Sequence, residues 1–381
     1  MKKIILSAFS IVALTAIMYS SAQAQQKSSK SSDDDDMSWD SRDNPGVWSA
    51  MIHEDRVYIQ FGGLHWSSGS NFMVSELGAL PTDKQGTFAV KREAGTVTFN
   101  GSFTNGRGHG TYLFEENASF KSFLAQEGFK DINEELMLHL FFTNINQEYF
   151  GYMKANGYTG ITMSQLKDLA FQNVNLKVLT GYLDLFKKEN YGKVSLEKII
   201  ELREHGVGPS FVNSFHEMGY KDISLDKALE LRDHGVSPKF IEEMKKAGAK
   251  DISLDEAVEL RDHGVSAEFI YGLKELGYGD ISLEKARKLR DHGVSIEFIK
   301  EFMAMGYKDI SPDRAQELRD HGVNPAFVSR IKELGFSDIT LNKAVELRDH
   351  GVTADYIKKM QDKGLKNLSL DEYVRLRDSG M

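Results

Sequence analysis

Hydrophobic positions along this chain follow two different periods. Between Val47 and about Phe120 they alternate with polar ones, as in Arg56-Val57-Tyr58-Ile59-Gln60-Phe61, Thr87-Phe88-Ala89-Val90 and Thr96-Val97-Thr98-Phe99. A period of two puts successive side chains on opposite faces of a strand. Gly62-Gly63, Ser67-Ser68-Gly69, Asn100-Gly101 and Asn105-Gly106 punctuate these runs and read as turns. Short strands of this kind predict a small antiparallel β domain over residues 46–122, folded as a sandwich or small barrel.

From Gly128 onward the period becomes helical and the chain repeats itself. The His-Gly pair recurs at His205, His234, His263, His292, His321 and His350, always 29 residues apart. A second glycine keeps the same step at Gly219, Gly248, Gly277, Gly306, Gly335 and Gly364. Two degenerate units precede these, beginning at Gly128 and Gly157, the second stretched by about four residues near Lys187. A fixed period of this length marks a stacked array, here about nine two-helix repeats over residues 123–381.

Each unit reads as a pair of short helices. Ser224 is an N-cap, Asp226 lies in the first turn where the helix dipole favours an acid, and Gly235 takes the left-handed position after the last turn. Val236 is then placed to meet Leu231. Ser237 caps the second helix, with Pro238 at its first position, where a missing N–H does no harm. Phe240, Ile241 and Met244 form its apolar stripe and Gly248 closes it. Helices of about nine residues are unstable alone, so each must bury its stripe against neighbouring units. The expected fold is therefore mainly α, an α-solenoid or superhelix preceded by the β domain.

The first residues carry an address. Lys2 and Lys3 precede an apolar run from Ile4 to Met18, and Ala22-Gln23-Ala24 supplies a small-x-small cleavage pattern. This is the layout of a secretory signal peptide over residues 1–24. The run is shorter than the roughly 20 residues a membrane span needs, and no later segment is long and apolar enough. Residues 25–45 are polar and include the acidic run Asp33 to Asp36, the composition of a disordered linker. The expected destination is the bacterial periplasm or the medium, with no transmembrane segment after cleavage.

Composition narrows the chemistry. The chain has no cysteine, which excludes disulfides, thiolate metal sites, iron–sulfur clusters and cysteine nucleophiles. Lys and Arg number 47 against 56 Asp and Glu, a net charge of −9, which argues against nucleic acid as the partner. No phosphate-binding glycine loop, nucleophile elbow or metalloprotease helix is present, and the sequence implies no cofactor.

Several patterns imitate sites. Ser195…Lys198, Ser224…Lys227 and Ser282…Lys285 match the Ser-x-x-Lys of penicillin-recognising enzymes. Equivalent positions elsewhere hold Ser253 with Glu256 and Ser369 with Glu372, so helix capping accounts for all of them. The six repeated histidines sit at helix ends, where the dipole favours a cation, and five have a Glu one turn earlier. They read as caps, with a pH-sensitive ladder as the alternative. Arg203, Arg232, Arg261, Arg290, Arg319, Arg348 and Arg377 form a parallel column. Each is followed by Asp or Glu, so pairing with acids within or between units is expected, rather than a grip on an acidic partner. Candidate binding residues are His65 and Trp66 in one glycine-flanked loop and Arg107 and His109 in another. To these are added Phe141, Phe142 and Tyr149, aromatics crowded where later units carry charge. They either dock the β domain onto the array or line a groove, and docking is the preferred reading.

The unit pattern Gly-Tyr-x-Asp-Ile-Ser followed by Leu-Arg-Asp-His-Gly-Val-Ser-x-x-Phe-Ile resembles repeats of exported bacterial proteins. Among these are the extracytoplasmic C-terminal regions of antirepressor-type sensor metallopeptidases related to the β-lactam sensors. The stretch from Val90 to Gly101, with Gly106 to Thr111, is similar to the segment that precedes those repeats. The resemblance covers nearly the whole mature chain and implies a sensor or interaction module. The peptidase domain with its zinc-binding helix has no counterpart here, so proteolysis is not implied. The expected function is an exported scaffold or sensor-type binding module without catalysis, whose partner is another exported or envelope protein. The alternative is a periplasmic enzyme or small-ligand-binding protein with its site in the β domain.

Overall fold

The computed structural model describes residues 45–62, 67–279, 281–308 and 310–380. The segments expected to be a signal peptide (residues 1–24) and, nearly all of it, a disordered linker (residues 25–45), together with His65 and Trp66, lie outside the described residues. The chain is mainly helical and forms two compact units, the first ending at Asn146 and the second beginning at Gln147. No helix among the described residues is long and apolar enough to cross a membrane.

The first unit holds six strands: β1 Gly46–His53, β2 Arg56–Gly62, β3 Ser67–Met73, β4 Gly86–Arg92, β5 Gly95–Thr104 and β6 Arg107–Glu116. All pair antiparallel in the order β3-β2-β1-β6-β5-β4. Two three-stranded meanders thus meet edge to edge through β1 and β6. The alternation read from the sequence sets the faces, with Val57, Ile59, Phe61, Val97 and Phe99 fully buried on one of them. The result is one curled sheet, neither a two-sheet sandwich nor a closed barrel.

A helix closes that core. Residues Glu134–Thr143, which the sequence pattern groups with the repeats, turn Phe141 and Phe142 onto the buried face of the sheet. The Phe142 ring lies 4.2 Å from that of Phe61, and Phe141 meets Phe114 at 5.8 Å. Arg92 of β4 donates to the carbonyls of Phe141 at 2.7 Å and Phe142 at 3.0 Å, placing a cation at the negative end of the helix dipole. Burial pulls this guanidinium's pKa down, against an opposing push from Glu76.

Three stretches expected to be turns or loops are strand, the first being Ser67-Ser68-Gly69, which opens β3 and pairs with β2. Asn100-Gly101 lies inside β5, and Arg107-Gly108-His109-Gly110 opens β6. Their glycines have a packing cause. A Cβ on Gly101 would sit 2.2 Å from the His109 carbonyl oxygen and 2.5 Å from the buried Trp48 ring, and one on Gly110 would sit 2.0 Å from the Asn100 carbonyl oxygen. Trp48 fills the space these glycines leave, its indole N–H donating to the Thr111 carbonyl at 3.0 Å. Asn105-Gly106 is a true turn, with φ of 51° and 75° at its two residues.

The second unit is a solenoid-like stack of helix pairs. The first helices of the regular units start at Leu196, Leu225, Leu254, Leu283, Pro312, Leu341 and Leu370, and the second helices at Pro209, Pro238, Ala267, Ile296, Pro325 and Ala354. Each of these helices is nine residues long. Second helices of successive units pack on one another. The C-caps form as expected: Gly235 has φ of 69° and Val236 donates its N–H to the Leu231 carbonyl at 2.7 Å.

Candidate functional site

Residues that recur through the array tie one unit to the next. Starting at the N-caps, the hydroxyls of Ser195, Ser224 and Ser282 accept from the backbone N–H of Lys198, Lys227 and Lys285. The lysine side chains point across the unit boundary. Lys198 Nζ lies 2.8 Å from Asp226 and 2.6 Å from Glu201, and Lys227 Nζ lies 2.5 Å from Asp255 and 2.6 Å from Glu230. The hydrogen bonds these ammonium groups donate to Asp226 and Asp255, then those to Glu201 and Glu230, raise their pKa. A lysine that activates a serine needs the opposite shift. These pairs are caps and ties.

A second column joins histidine to aspartate. Each histidine ends a first helix and places its Nδ1 on an aspartate Oδ1 of the next unit's first helix. The pairs are His205–Asp233 at 2.7 Å, His234–Asp262 at 2.7 Å, His292–Asp320 at 2.5 Å, His321–Asp349 at 2.5 Å and His350–Asp378 at 2.9 Å, together with His263–Asp291. The aspartate hydrogen bond raises the pKa of His205, His234, His321 and His350. The glutamate one turn earlier, which the sequence suggested as support, adds a smaller push in the same direction. The aspartate partner was legible in principle, because Asp immediately precedes His234, His263, His292, His321 and His350 and each His–Asp step is 28 residues.

The arginine column behaves differently from the expected acid pairing. Arg232 stacks on Phe211 of the preceding unit, and Arg261, Arg290, Arg319, Arg348 and Arg377 stack in turn on Phe240, Phe269, Phe298, Phe327 and Tyr356, 4.1–5.4 Å from the ring centroids. The C-cap glycine of the preceding unit makes room: a Cβ on Gly206 would lie 3.2 Å from the Arg232 guanidinium. Arg290 also donates from Nε to the Gly264 carbonyl at 3.0 Å. Among the described residues, the arginine ion pairs of the array belong to Arg287, Arg314 and Arg330. Among the described residues, none of the six stacked arginines forms an ion pair with a carboxylate. The aspartates beside them are engaged by the histidines instead, and Arg232, Arg261, Arg319, Arg348 and Arg377 are exposed.

A fourth column explains the Gly-Tyr and Asp-Ile parts of the pattern. Tyr220 and Tyr307 donate to the carbonyls of Ile252 and Ile339, 32 residues on, each at 2.7 Å, and Tyr278 does the same to Ile310. Positions that differ between units lie instead on the second helices. One such position holds Asn213, Glu242, Tyr271, Lys300, Ser329 and Lys358 in successive units. Two open clefts flank this face. One, of about 480 Å³, is lined by Phe269, Tyr271, Gly272, Arg290, Ile296 and Lys300 with three glutamates; the other, of about 250 Å³, by Phe298, Arg319, Asn324 and Pro325 with Glu297 and Glu301. Each contains one arginine of the column and the ring beneath it.

The residues singled out from the sequence are dispersed. Arg107 and His109 are exposed on the solvent face of the sheet, opposite Met51 and Ser49 of β1. His53 lies four residues along β1 from Ser49, about 13 Å at strand rise, too far to share a metal ion with His109. No group of three or more potential metal ligands occurs among the described residues. Phe141, Phe142 and Tyr149 are 0%, 7% and 0% exposed, so they are core and present no surface to a partner. For Phe141 and Phe142 that core is the β sheet of their own compact unit, so they complete the first unit rather than belonging to the array in which the sequence pattern placed them. The arginine column was visible as a pattern but misassigned, since only the fold shows which acids its neighbours consume.

The chain matches no protein-family model and no curated protein sequence.

Proposed function

We propose that this protein is an exported binding module of scaffold or sensor type that works by presenting a surface and performs no catalysis. The observation that carries this reading is the arginine column. Across the unit boundaries, the repeated lysines and histidines are matched to carboxylates, whereas the stacked arginines form no ion pair among the described residues and two of them, Arg290 and Arg319, line open clefts. Repeat arrays stack so that each unit contacts its neighbours, which leaves a long, evenly stepped surface suited to an extended ligand. The signal-like N-terminus and the resemblance to extracytoplasmic sensor repeats support a setting in the envelope, with another exported protein as partner.

The test is affinity capture from a native envelope extract with the mature chain as bait, followed by purification of the captured protein and titration. A saturable one-to-one complex is expected. Retention no greater than on heat-denatured bait, or turnover of an envelope substrate by the purified chain, refutes the reading.

A further inference from the structure

Resting on that reading, we infer that the arginine column takes an extended acidic polypeptide whose carboxylates recur about every third residue. Spacing comes first. Packed helices lie about 8–10 Å apart, so the column offers one guanidinium per step of that size. A chain extended as a polyproline II helix rises about 3.1 Å per residue with three residues per turn, so three residues cover the same step and bring the side chain back to the same face. Orientation comes second. Each guanidinium lies on an aromatic ring, as Arg290 does on Phe269 and Arg319 on Phe298, which holds its planar donors in place before a ligand arrives. A pre-oriented fork loses less entropy when it grips a carboxylate.

Charge pattern decides between a polypeptide and a continuous polyanion. Glu268, Glu297 and Glu301 line the same clefts as Arg290 and Arg319. They repel negative charge placed between the arginines, so the ligand's charge must be interrupted. A nucleic acid strand carries a phosphate about every 3.4 Å and sets charge against these glutamates. Acidic residues separated by neutral ones meet the arginines alone, and the floor of Phe269, Ile296 and Pro325 accepts the apolar parts of the spacers.

The experiment uses the mature chain and fluorescent peptides followed by anisotropy. One peptide repeats the triplet Ser-Thr-Glu; a second has the same composition with its glutamates in one block; a third replaces Glu with Gln. The spaced acidic peptide is expected to bind about tenfold more tightly than the blocked one, with no binding by the Gln peptide. Arg290→Gln with Arg319→Gln should cost about tenfold, whereas Lys227→Gln with Lys285→Gln, on the lysine column, should change affinity less than about twofold. Circular-dichroism melting checks that both double variants remain folded, and the comparison of the spaced and blocked peptides on the unaltered chain needs no variant. Absence of binding, equal binding of the spaced and blocked peptides, or equal losses in the two double variants overturns the inference. If an envelope partner is captured but the Ser-Thr-Glu peptide does not displace it, the binding-module reading stands and this inference alone fails.

Discussion

Placing valine at Gly235 sets a β-branched side chain at a backbone position with φ of 69°. An L-residue in this region costs about 1–2 kcal/mol, and a β-branched one lies toward the upper end of the about 1–3 kcal/mol typical of strained backbone. The added Cβ would lie 3.4 Å from Nε of Arg261, a flexible side chain that can yield slightly, so the strain is mainly in the backbone. Gly208 provides the control. Its φ is −85°, nothing lies within 4 Å of where its Cβ would be, and it serves as an N-cap without a side-chain bond. Gly208→Val should cost only about 0.5 kcal/mol, and Gly208→Ser should stabilise by a few tenths by supplying the missing cap. In a unit of this size 1 kcal/mol moves the melting temperature by about 2–4 °C, so Gly235→Val should lower it by roughly 4–8 °C and Gly208→Val by about 2 °C or less. Gly235→Asn, which tolerates the left-handed region, should fall between. Far-ultraviolet circular dichroism reads all four variants. Equal losses at the two glycines would show that the left-handed cap does not govern the stability of the array.

The two units should respond to acid in opposite directions. For His205, His234, His321 and His350 the folded pKa is raised, so their stabilisation is complete below the unfolded value of about 6.5 and is lost as pH rises through the folded values. The array should therefore melt higher near pH 6 than near pH 8, and replacing all four by Gln should flatten the difference. His139 is buried in the first unit with its pKa pulled down to about 4 by desolvation. The unfolded chain binds that proton more readily, so this unit should lose stability as pH falls from about 6.5 toward 4, and His139→Leu should weaken that dependence in the near-ultraviolet signal. Gly110→Val should prevent the first unit from folding, because a Cβ 2.0 Å from a backbone oxygen cannot be accommodated, while the helical signal of the array persists. Arg92→Met should cost about 1–3 kcal/mol in denaturant melts by removing the charged donor that the carbonyls of Phe141 and Phe142 share, and a change below the error of the melt would remove Arg92 as the tie between helix and sheet.

Local signals settled much of this protein in advance. The 29-residue step, the Ser and Thr N-caps, and the left-handed glycines depend on residues within one turn of each other, so the sequence displays them directly. The alternation of β2 and β5 did the same for their faces. Glycine was the ambiguous letter. Asn105-Gly106 is a turn because both residues take positive φ, whereas Gly101 and Gly110 sit in strands because Trp48 and the neighbouring backbone occupy the space of a Cβ.

Partner choice across long separations was decided only in three dimensions. Helix Glu134–Thr143 carries the period of a repeat, yet it packs on the sheet because Phe61 and Phe114 supply the apolar surface that Phe141 and Phe142 need. The Arg-Asp-His triplets show the sharpest division. Adjacency in sequence suggests that each arginine pairs with the acid beside it, but stacking brings the preceding unit's histidine to that acid and its aromatic ring to the arginine. A sequence states which charges are present and how far apart they recur. Which of them are neutralised depends on the unit-to-unit step, and that step is fixed by how the buried stripes of successive helices pack.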